Sequence, residues 1–304
     1  MLSVPTRAGR LAFTGLAMAL ALTSVACGGD DASTVGEPGG NNPTPTSSVD
    51  QSLAARVPAD IKADGKILIG TDSTYAPNEF LAADGKTIQG FDIDLFNAIA
   101  AKLGLTAEFQ TAPFDNIIPS VKSGKYELGV SSFTINDERK KVADMVSYFS
   151  AGTQWATKAG NPNGINPDDA CGKKIAVQKG TVQVDDLTAR SKKCTDAGKK
   201  AITIEQYQGQ DEATAAVVSG KDEAMLADSP VVAYAVKQTN EQLELLGEIY
   251  DSAPYGYVVK KDQGEFAQVL ADALKAIIAD GSYKTALQKW GVEQGAITDP
   301  KVSP

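Results

Sequence analysis

The chain has 304 residues, 42% hydrophobic and 22% charged, with a formal net charge of −9 and no histidine. That length is a prior of about two domains with real cores, and the acidic balance disfavours nucleic acid as a partner, which needs a basic footprint. Without imidazole, Ser-His-Asp triads and His-ligated zinc are excluded, and three cysteines cannot build an all-cysteine zinc site. No Gly-x-Ser-x-Gly, Ser-x-x-Lys or phosphate-cradling glycine loop occurs, so no catalytic centre, metal or cofactor is expected.

Arg7 and Arg10 precede an apolar run, Leu11 to Leu22, too short for a membrane-spanning helix of about 20 residues. Small residues follow at Ser24-Val25-Ala26, and the segment 1–26 reads as a signal peptide. Its removal takes the net charge from −9 to −11, because it carries two arginines and no acids. Cys27 comes next. The arrangement resembles a bacterial lipoprotein lipobox with Cys27 as the acylated residue, although Ser24 stands where leucine is usual. The alternative is simple cleavage that leaves a free thiol. From Gly28 to Ser52, 17 of 25 residues are Gly, Pro, Ser, Thr or Asn, a composition too poor in apolar surface to order itself. Residues 27–56 therefore read as a lipidated cysteine and a flexible tether. Cys171 and Cys194 are the two left over. In an exported protein they read as a disulfide, the alternative being two buried thiols.

The rest alternates short apolar strands with amphipathic helices. Strands are expected at 66–70, 106–110 and 127–130. Helices are expected at 92–103, with Leu95, Ile99 and Leu103 on one stripe, and at 114–123, burying Ile117, Ile118 and Val121. The order repeats: Gly65 to Thr71 is echoed by Gly172 to Gln178, and Ser123-Gly124-Lys125 by Ser219-Gly220-Lys221. With the copies superposed, Ser132 falls opposite Asp228. Helices at 265–280 and 281–290 close the chain, their apolar stripes reading as core. The implied class is α/β, helices on a mostly parallel sheet, built as two similar lobes. Polar residues crowd the strand ends, where open α/β sheets bind ligands.

Gly70-Thr71-Asp72-Ser73-Thr74-Tyr75-Ala76-Pro77, then Gly90-Phe91-Asp92-Ile93-Asp94-Leu95, Ser131-Ser132-Phe133-Thr134, Arg139, Gly180-Thr181, Tyr207-Gln208-Gly209-Gln210 and Asp228 resemble the polar amino-acid branch of bacterial solute-binding proteins, family 3. The resemblance spans about residues 56–295. It implies the two-lobe periplasmic-binding-protein-like fold (type II) with mixed sheets, flanking helices and two hinge crossovers, near residues 152–156 and 250–254. Lobe 1 would comprise 57–153 and 253–304, and lobe 2 residues 154–252. The implied function is that of an extracytoplasmic, membrane-anchored monomer that captures a free amino acid and passes it to an ABC transporter permease. Glutamine-like ligands are favoured, and basic amino acids also fit.

A zwitterion demands both charges from its cleft, since burying either end unpaired is costly. Arg139 is the candidate for the carboxylate, by bidentate pairing; a surface pair with Asp137 or Glu138 is the other reading. Thr181 and the backbone amide of Val182 open a helix and favour the same anion. Asp228, with Ser131, Ser132 and Thr134, suits the ammonium, and Asp228 also reads as the N-cap of a helix beginning Ser229-Pro230. The ligand's side chain would lie between Tyr75 and Phe114, its tip at Asp72 and Gln178. Glutamate fits only if Lys158 or Lys179 turns inward. Two rivals stand beside this reading. One is an enzyme on the same fold, with Glu79 as the carboxylate to watch. The other is a binding module feeding a receptor.

Overall fold

The computed structural model describes residues 48–303. The expected signal peptide, Cys27 and most of the expected tether lie outside the described residues. The tether expected to reach residue 56 is corrected at its end, because helix α1 (Gln51–Arg56) is already folded there. Asp50 caps it, accepting the N–H groups of Ser52 at 2.9 Å and Leu53 at 3.2 Å. Leu53 is buried, and Arg56 reaches Asp272 at 2.8 Å. One apolar anchor and one cap suffice to end a tether.

The elements then follow as β1 (Lys66–Thr71), β2 (Thr74–Tyr75), β3 (Glu79–Leu81), β4 (Ile88–Gln89), α2 (Phe91–Lys102), β5 (Thr106–Thr111), α3 (Phe114–Ser123), β6 (Leu128–Thr134), α4 (Asp137–Lys140) and β7 (Ala143–Lys158). After β7 come β8 (Lys174–Gln178), α5 (Val182–Asp196), β9 (Thr203–Tyr207), α6 (Gln210–Ser219), β10 (Ala224–Asp228), α7 (Ser229–Gln238), β11 (Leu243–Lys260), α8 (Phe266–Ala279), α9 (Ser282–Trp290) and β12 (Val302–Ser303).

The main sheet runs β5-β1-β6-β11-β7-β10-β8-β9, with β12 on β7. The sequence echo is visible in this order. β1 is parallel to both β5 and β6, and β8 is parallel to both β9 and β10. Each copy thus places its first strand centrally and its third beside the strands that link the halves. The matched glycines do the same local work: Gly124 and Gly220 end α3 and α6 in the left-handed conformation, at φ 80° and 79°, which glycine adopts without a steric cost.

β7 and β11 are the links. The first half of β7 pairs with the second half of β11 (Ala143↔Lys260 to Phe149↔Tyr255), and its second half pairs with the first half of β11 and with β10. The β7–β11 register slips between Leu246 and Tyr250 and again between Tyr250 and Ala253. There the ladder between the two linking strands is interrupted.

On the first side, Phe91, Phe96, Ile99, Tyr148, Phe149, Tyr255, Leu270 and Leu274 pack one core. The stripe foreseen for the C-terminal helices is part of it. Trp155, Ile175, Val177, Leu187 and Leu226 pack another on the second side. Cys171 and Cys194 form the expected disulfide, Cα–Cα 5.5 Å, tying the approach to β8 to the last turns of α5. Closing a loop of that size restricts the unfolded chain and contributes about 3 kcal/mol. The Cys171→Ser/Cys194→Ser variant should therefore unfold at lower denaturant, with a slope equal to or steeper than that of the wild type because its unfolded chain is less compact. Coincident urea curves for variant and oxidised wild type would refute this.

Candidate functional site

Strand ends bring the residues together. β1 ends at Thr71, and Asp72 follows it, 3% exposed. Its Oδ1 accepts from the Thr74 N–H (3.0 Å) and hydroxyl (2.6 Å). Its Oδ2 accepts from the Phe114 N–H (3.0 Å) and from Gln178 Nε2 (3.1 Å). Burial raises the Asp72 pKa, the bonds from Thr74 and Phe114 oppose it, and the charge of Asp211 adds to the rise. Asp72 and Gln178, paired on sequence grounds at the tip of a ligand side chain, are thus in direct contact across the two halves.

Arg139 sits in α4, a four-residue helix capped by Asn136. Its acidic neighbours do not hold it: Asp137 pairs with Lys140 and Glu138 with Lys141. The guanidinium instead turns inward, donating from Nη1 to the Thr134 carbonyl (2.8 Å) and from Nη2 to the Gly180 carbonyl (3.2 Å). It lies 5.4 Å from the ring centroids of both Phe114 and Phe133, which stack on each other at 4.6 Å. Desolvation pushes its pKa down to about 10, against the attraction of Asp228 and Asp185.

Asp228 ends β10 at the N-cap position of α7, yet its side chain makes no capping bond. It accepts from Gln183 Nε2 at 2.8 Å, and its N–H donates to the Tyr75 hydroxyl at 3.2 Å. Burial raises its pKa; Tyr255, Tyr75, Gln183 and the charge of Arg139 act against that rise. Arg139 and Asp228 therefore stand on opposite halves and sense each other's charge. Thr181, the residue before α5, spends its hydroxyl on the Gln178 carbonyl (2.8 Å). It makes no side-chain cap, so the first N–H groups of α5, from Val182 on, have no side-chain partner there.

Ser131 and Ser132 are buried on β6, where pairing with β11 is irregular and Ser132 takes φ 49°. Phe114 is buried within the first half, whereas Tyr75 reaches across and is buried among Ala176, Ala213, Met225 and Val231 of the second; Thr134 is half-buried. The halves touch elsewhere too, through Lys179–Asp115 (2.8 Å) and through the Gln210 N–H to Thr74 Oγ1 (3.1 Å). At this seam lies a pocket of about 260 Å³ lined by Asp72, Thr74, Pro113, Gln208, Gly209, Asp211 and Glu212. A wider open depression of about 450 Å³ beside the disulfide, between Pro167, Arg190 and Lys199, contains none of these residues.

Sequence reasoning missed Gln183. It is 1% exposed and bridges Asp228 to Thr153 Oγ1 on β7 (3.0 Å), so it steers the carboxylate away from the helix end. The signal was present: Gln183 is four residues before the buried Leu187, on the apolar face of α5. Asn78 is fully buried and donates to Ser132 Oγ at 2.7 Å. Glu79, watched as a general acid, is also fully buried, bonded to Ser131 and Ser132.

Comparison with known proteins converges on one group. The arginine-binding protein ArgT of Corynebacterium glutamicum is 34% identical over 252 residues, covering 83% of this chain and 82% of that protein. An ancestral arginine-binding protein, solved bound to glutamine, matches with a TM-score of 0.69 at 35% identity, over 75% of this chain and 99% of its own. The ancestral amino acid-binding protein AncCDT-1, a precursor of cyclohexadienyl dehydratase, matches with a TM-score of 0.69 at 32% identity, over 76% and 97%. The fold is the two-lobe type II architecture expected from the sequence. The profile of the bacterial extracellular solute-binding proteins, family 3, matches residues 67–293, and the chain belongs to that family.

Proposed function

We propose that this protein is the extracytoplasmic substrate-binding component of an ABC-type amino-acid importer, a monomer tethered through Cys27 that holds a polar or basic L-amino acid between its halves. The observation that carries the reading is the opposed pair at the seam: Arg139 of one half turned inward onto the Gly180 carbonyl of the other, and buried Asp228 of the second half against the Tyr75 hydroxyl of the first. A free amino acid supplies the matching carboxylate and ammonium. We assign Arg139, Thr181 and the Val182 amide to the carboxylate, and Asp228, Ser131, Ser132 and Thr134 to the ammonium. Tyr75 and Phe114 would flank the side chain. Residues 57–153 with 253–304 would form one rigid lobe and 154–252 the other, closing on the ligand through the β7 and β11 crossings.

At the side-chain end, the pocket contains Asp72, Asp211 and Glu212 and no basic residue. Lys179, which could have reversed that sign, pairs with Asp115 instead. This favours a cationic ligand tip of the arginine class over the glutamine-like one preferred from sequence. A thermal-shift screen over the twenty amino acids tests the reading, and no shift with any of them rejects it. Asp72→Asn is then expected to weaken L-arginine about 10-fold or more and L-glutamine less than about 3-fold, since a charge-assisted bond is lost only for the cation. Equal losses for both ligands would refute the role of Asp72. The likeness to a dehydratase precursor raises a second reading, an enzyme on this fold; mass-spectrometric detection of product from any bound amino acid would establish it.

A further inference from the structure

Glu79 of β3 and Asp92 of α2 are both fully buried and converge on one hydroxyl, that of Ser132. Ser131 donates to Glu79 Oε1 at 2.8 Å, and its oxygen accepts the Asp72 N–H at 3.0 Å. Asp92 Oδ2 accepts the Ser132 N–H (3.0 Å), the Ser132 hydroxyl (3.1 Å) and the Tyr148 hydroxyl (2.6 Å). Asp92 Oδ1 finds no donor among these groups. The Ser132 hydroxyl has one proton and faces both acids, at 3.1 Å from Asp92 and 3.3 Å from Glu79.

The titratable groups facing the pair are Asp72 at the end of β1, Tyr75 on β2, Tyr148 on β7 and Tyr257 on β11. The remaining acid of α2, Asp94, turns away to Lys289 and Trp290. Among the described residues neither carboxyl of the pair has an ion-pair partner. Two anions side by side in such a place are strongly disfavoured, and one proton between them relieves this. Two protons would leave the Ser132 N–H and the Tyr148 hydroxyl without a charged acceptor.

We propose that Glu79 and Asp92 share a single proton and act as a positioning pair for the ligand cleft: protonated Glu79 donates to Asp92, and Asp92 holds Ser132 in its left-handed conformation. A serine at φ 49° is held against its own preference, and the anchor on its N–H and hydroxyl is Asp92. The consequence for the ligand rests on the assignment of Ser131 and Ser132 made above.

Burial, with the neighbouring Asp92 charge, raises Glu79 well above the usual carboxylate range. Asp92 is pushed up by burial to about 6. The folded state therefore holds the shared proton to higher pH than the unfolded chain does. The folding equilibrium constant then falls as pH rises from about 4.3 towards the folded value, by at most about tenfold per unit for one proton. Affinity follows, as Ser132 loses its anchor geometry.

The test is calorimetric titration of L-arginine into the full chain from pH 6 to pH 10, with Glu79→Ala and Glu79→Gln in parallel. Glu79→Ala is expected to weaken arginine about tenfold at pH 6. Glu79→Gln, whose amide mimics the protonated acid without titrating, should restore most of that loss and flatten the decline at high pH. The titration of the ligand's own amino group is common to all three and cancels in the comparison. A Glu79→Gln profile parallel to wild type overturns the proposal, as does a Glu79→Gln chain that melts no higher than Glu79→Ala. If the wild type binds no arginine at any pH and none of the twenty amino acids shifts its melting temperature, the importer reading falls and this positioning role with it. If the wild type binds and only the rescue fails, the importer reading stands and the shared proton does not.

Discussion

Arg139→Ala should weaken the binding of the cognate amino acid by at least about 30-fold, and Asp228→Ala should do the same. The ligand's two charges leave water together, so removing one partner leaves the other end of the zwitterion buried and unpaired. Truncating one side of such a pair costs about 2–5 kcal/mol, roughly 30-fold to several thousand-fold. Arg139→Lys should not rescue. Arg139 uses Nη1 and Nη2 on two carbonyls and lies over two aromatic rings, and an ammonium cannot reproduce a planar fork and a stacked face together. Asp228→Asn is the sharper probe on the other side. The amide oxygen can still accept from Gln183, so the fold is kept while the charge is lost. Titration calorimetry on each variant decides the matter, and near-wild-type affinity in either Arg139→Ala or Asp228→Asn would remove the physical basis for amino-acid capture.

Much of the frame was legible because its signals are local. Helix α3 takes the bounds expected from the stripe of Ile117, Ile118 and Val121, with Ile118 only half-buried where full burial was expected. The doubled strand–helix pattern correctly implied two halves of one design. The long strands β7 and β11 were not legible as continuous elements. A strand of 16 or 18 residues serving two cores has no single alternation of exposed and buried positions, and β11 changes pattern midway. The folded start at Asp50 was missed because a single turn of helix docked by one leucine has no periodicity to read.

At the site, sequence left two alternatives open that geometry closes. Asp228 read equally as a helix cap, since it precedes Ser229-Pro230. Capping needs a free N–H two or three residues on, and Pro230 removes one of those donors, while Gln183 draws the carboxylate elsewhere. Arg139 read equally as a surface ion pair with its acidic neighbours. Those acids reach lysines one turn ahead, and the arginine is left to face the rings. Neither outcome could be read from spacing, because Asp228 answers to Gln183, 45 residues away, and Arg139 to the Gly180 carbonyl, 41 residues away, as well as to the rings. Glu79 shows the limit from the other side: the sequence offered only a lone carboxylate near a cleft, and its full burial beside Asp92 depends on a residue 13 positions on that no spacing pattern links to it.

Gly90→Ala should lower the melting temperature by about 6–20 °C and abolish ligand binding at physiological temperature. Gly90 precedes α2 at φ 140°, a conformation essentially reserved for glycine. A Cβ there would run into the carbonyl of Asn78 and lie 2.9 Å from the Glu79 nitrogen. Relief requires the 77–79 segment to lift from the helix end, where Phe91 N–H donates to the Pro77 carbonyl (3.1 Å) and Asp92 N–H to the Asn78 carbonyl (3.0 Å). Strain and two broken hydrogen bonds together are in the range of about 3–5 kcal/mol, and each kcal/mol shifts a chain of this size by about 2–4 °C. The same displacement would carry Glu79 away from Asp92 and Asn78 away from Ser132, so binding should fail along with stability. Gly85→Ala is the control. Gly85 is also left-handed, at φ 66°, but its added Cβ meets nothing within 4 Å, so it should cost only the conformational penalty of about 1–2 kcal/mol. If the two variants melt together, the close packing of the 77–79 segment on the start of α2 contributes nothing, and the geometry assigned to Glu79 and Asp92 is wrong.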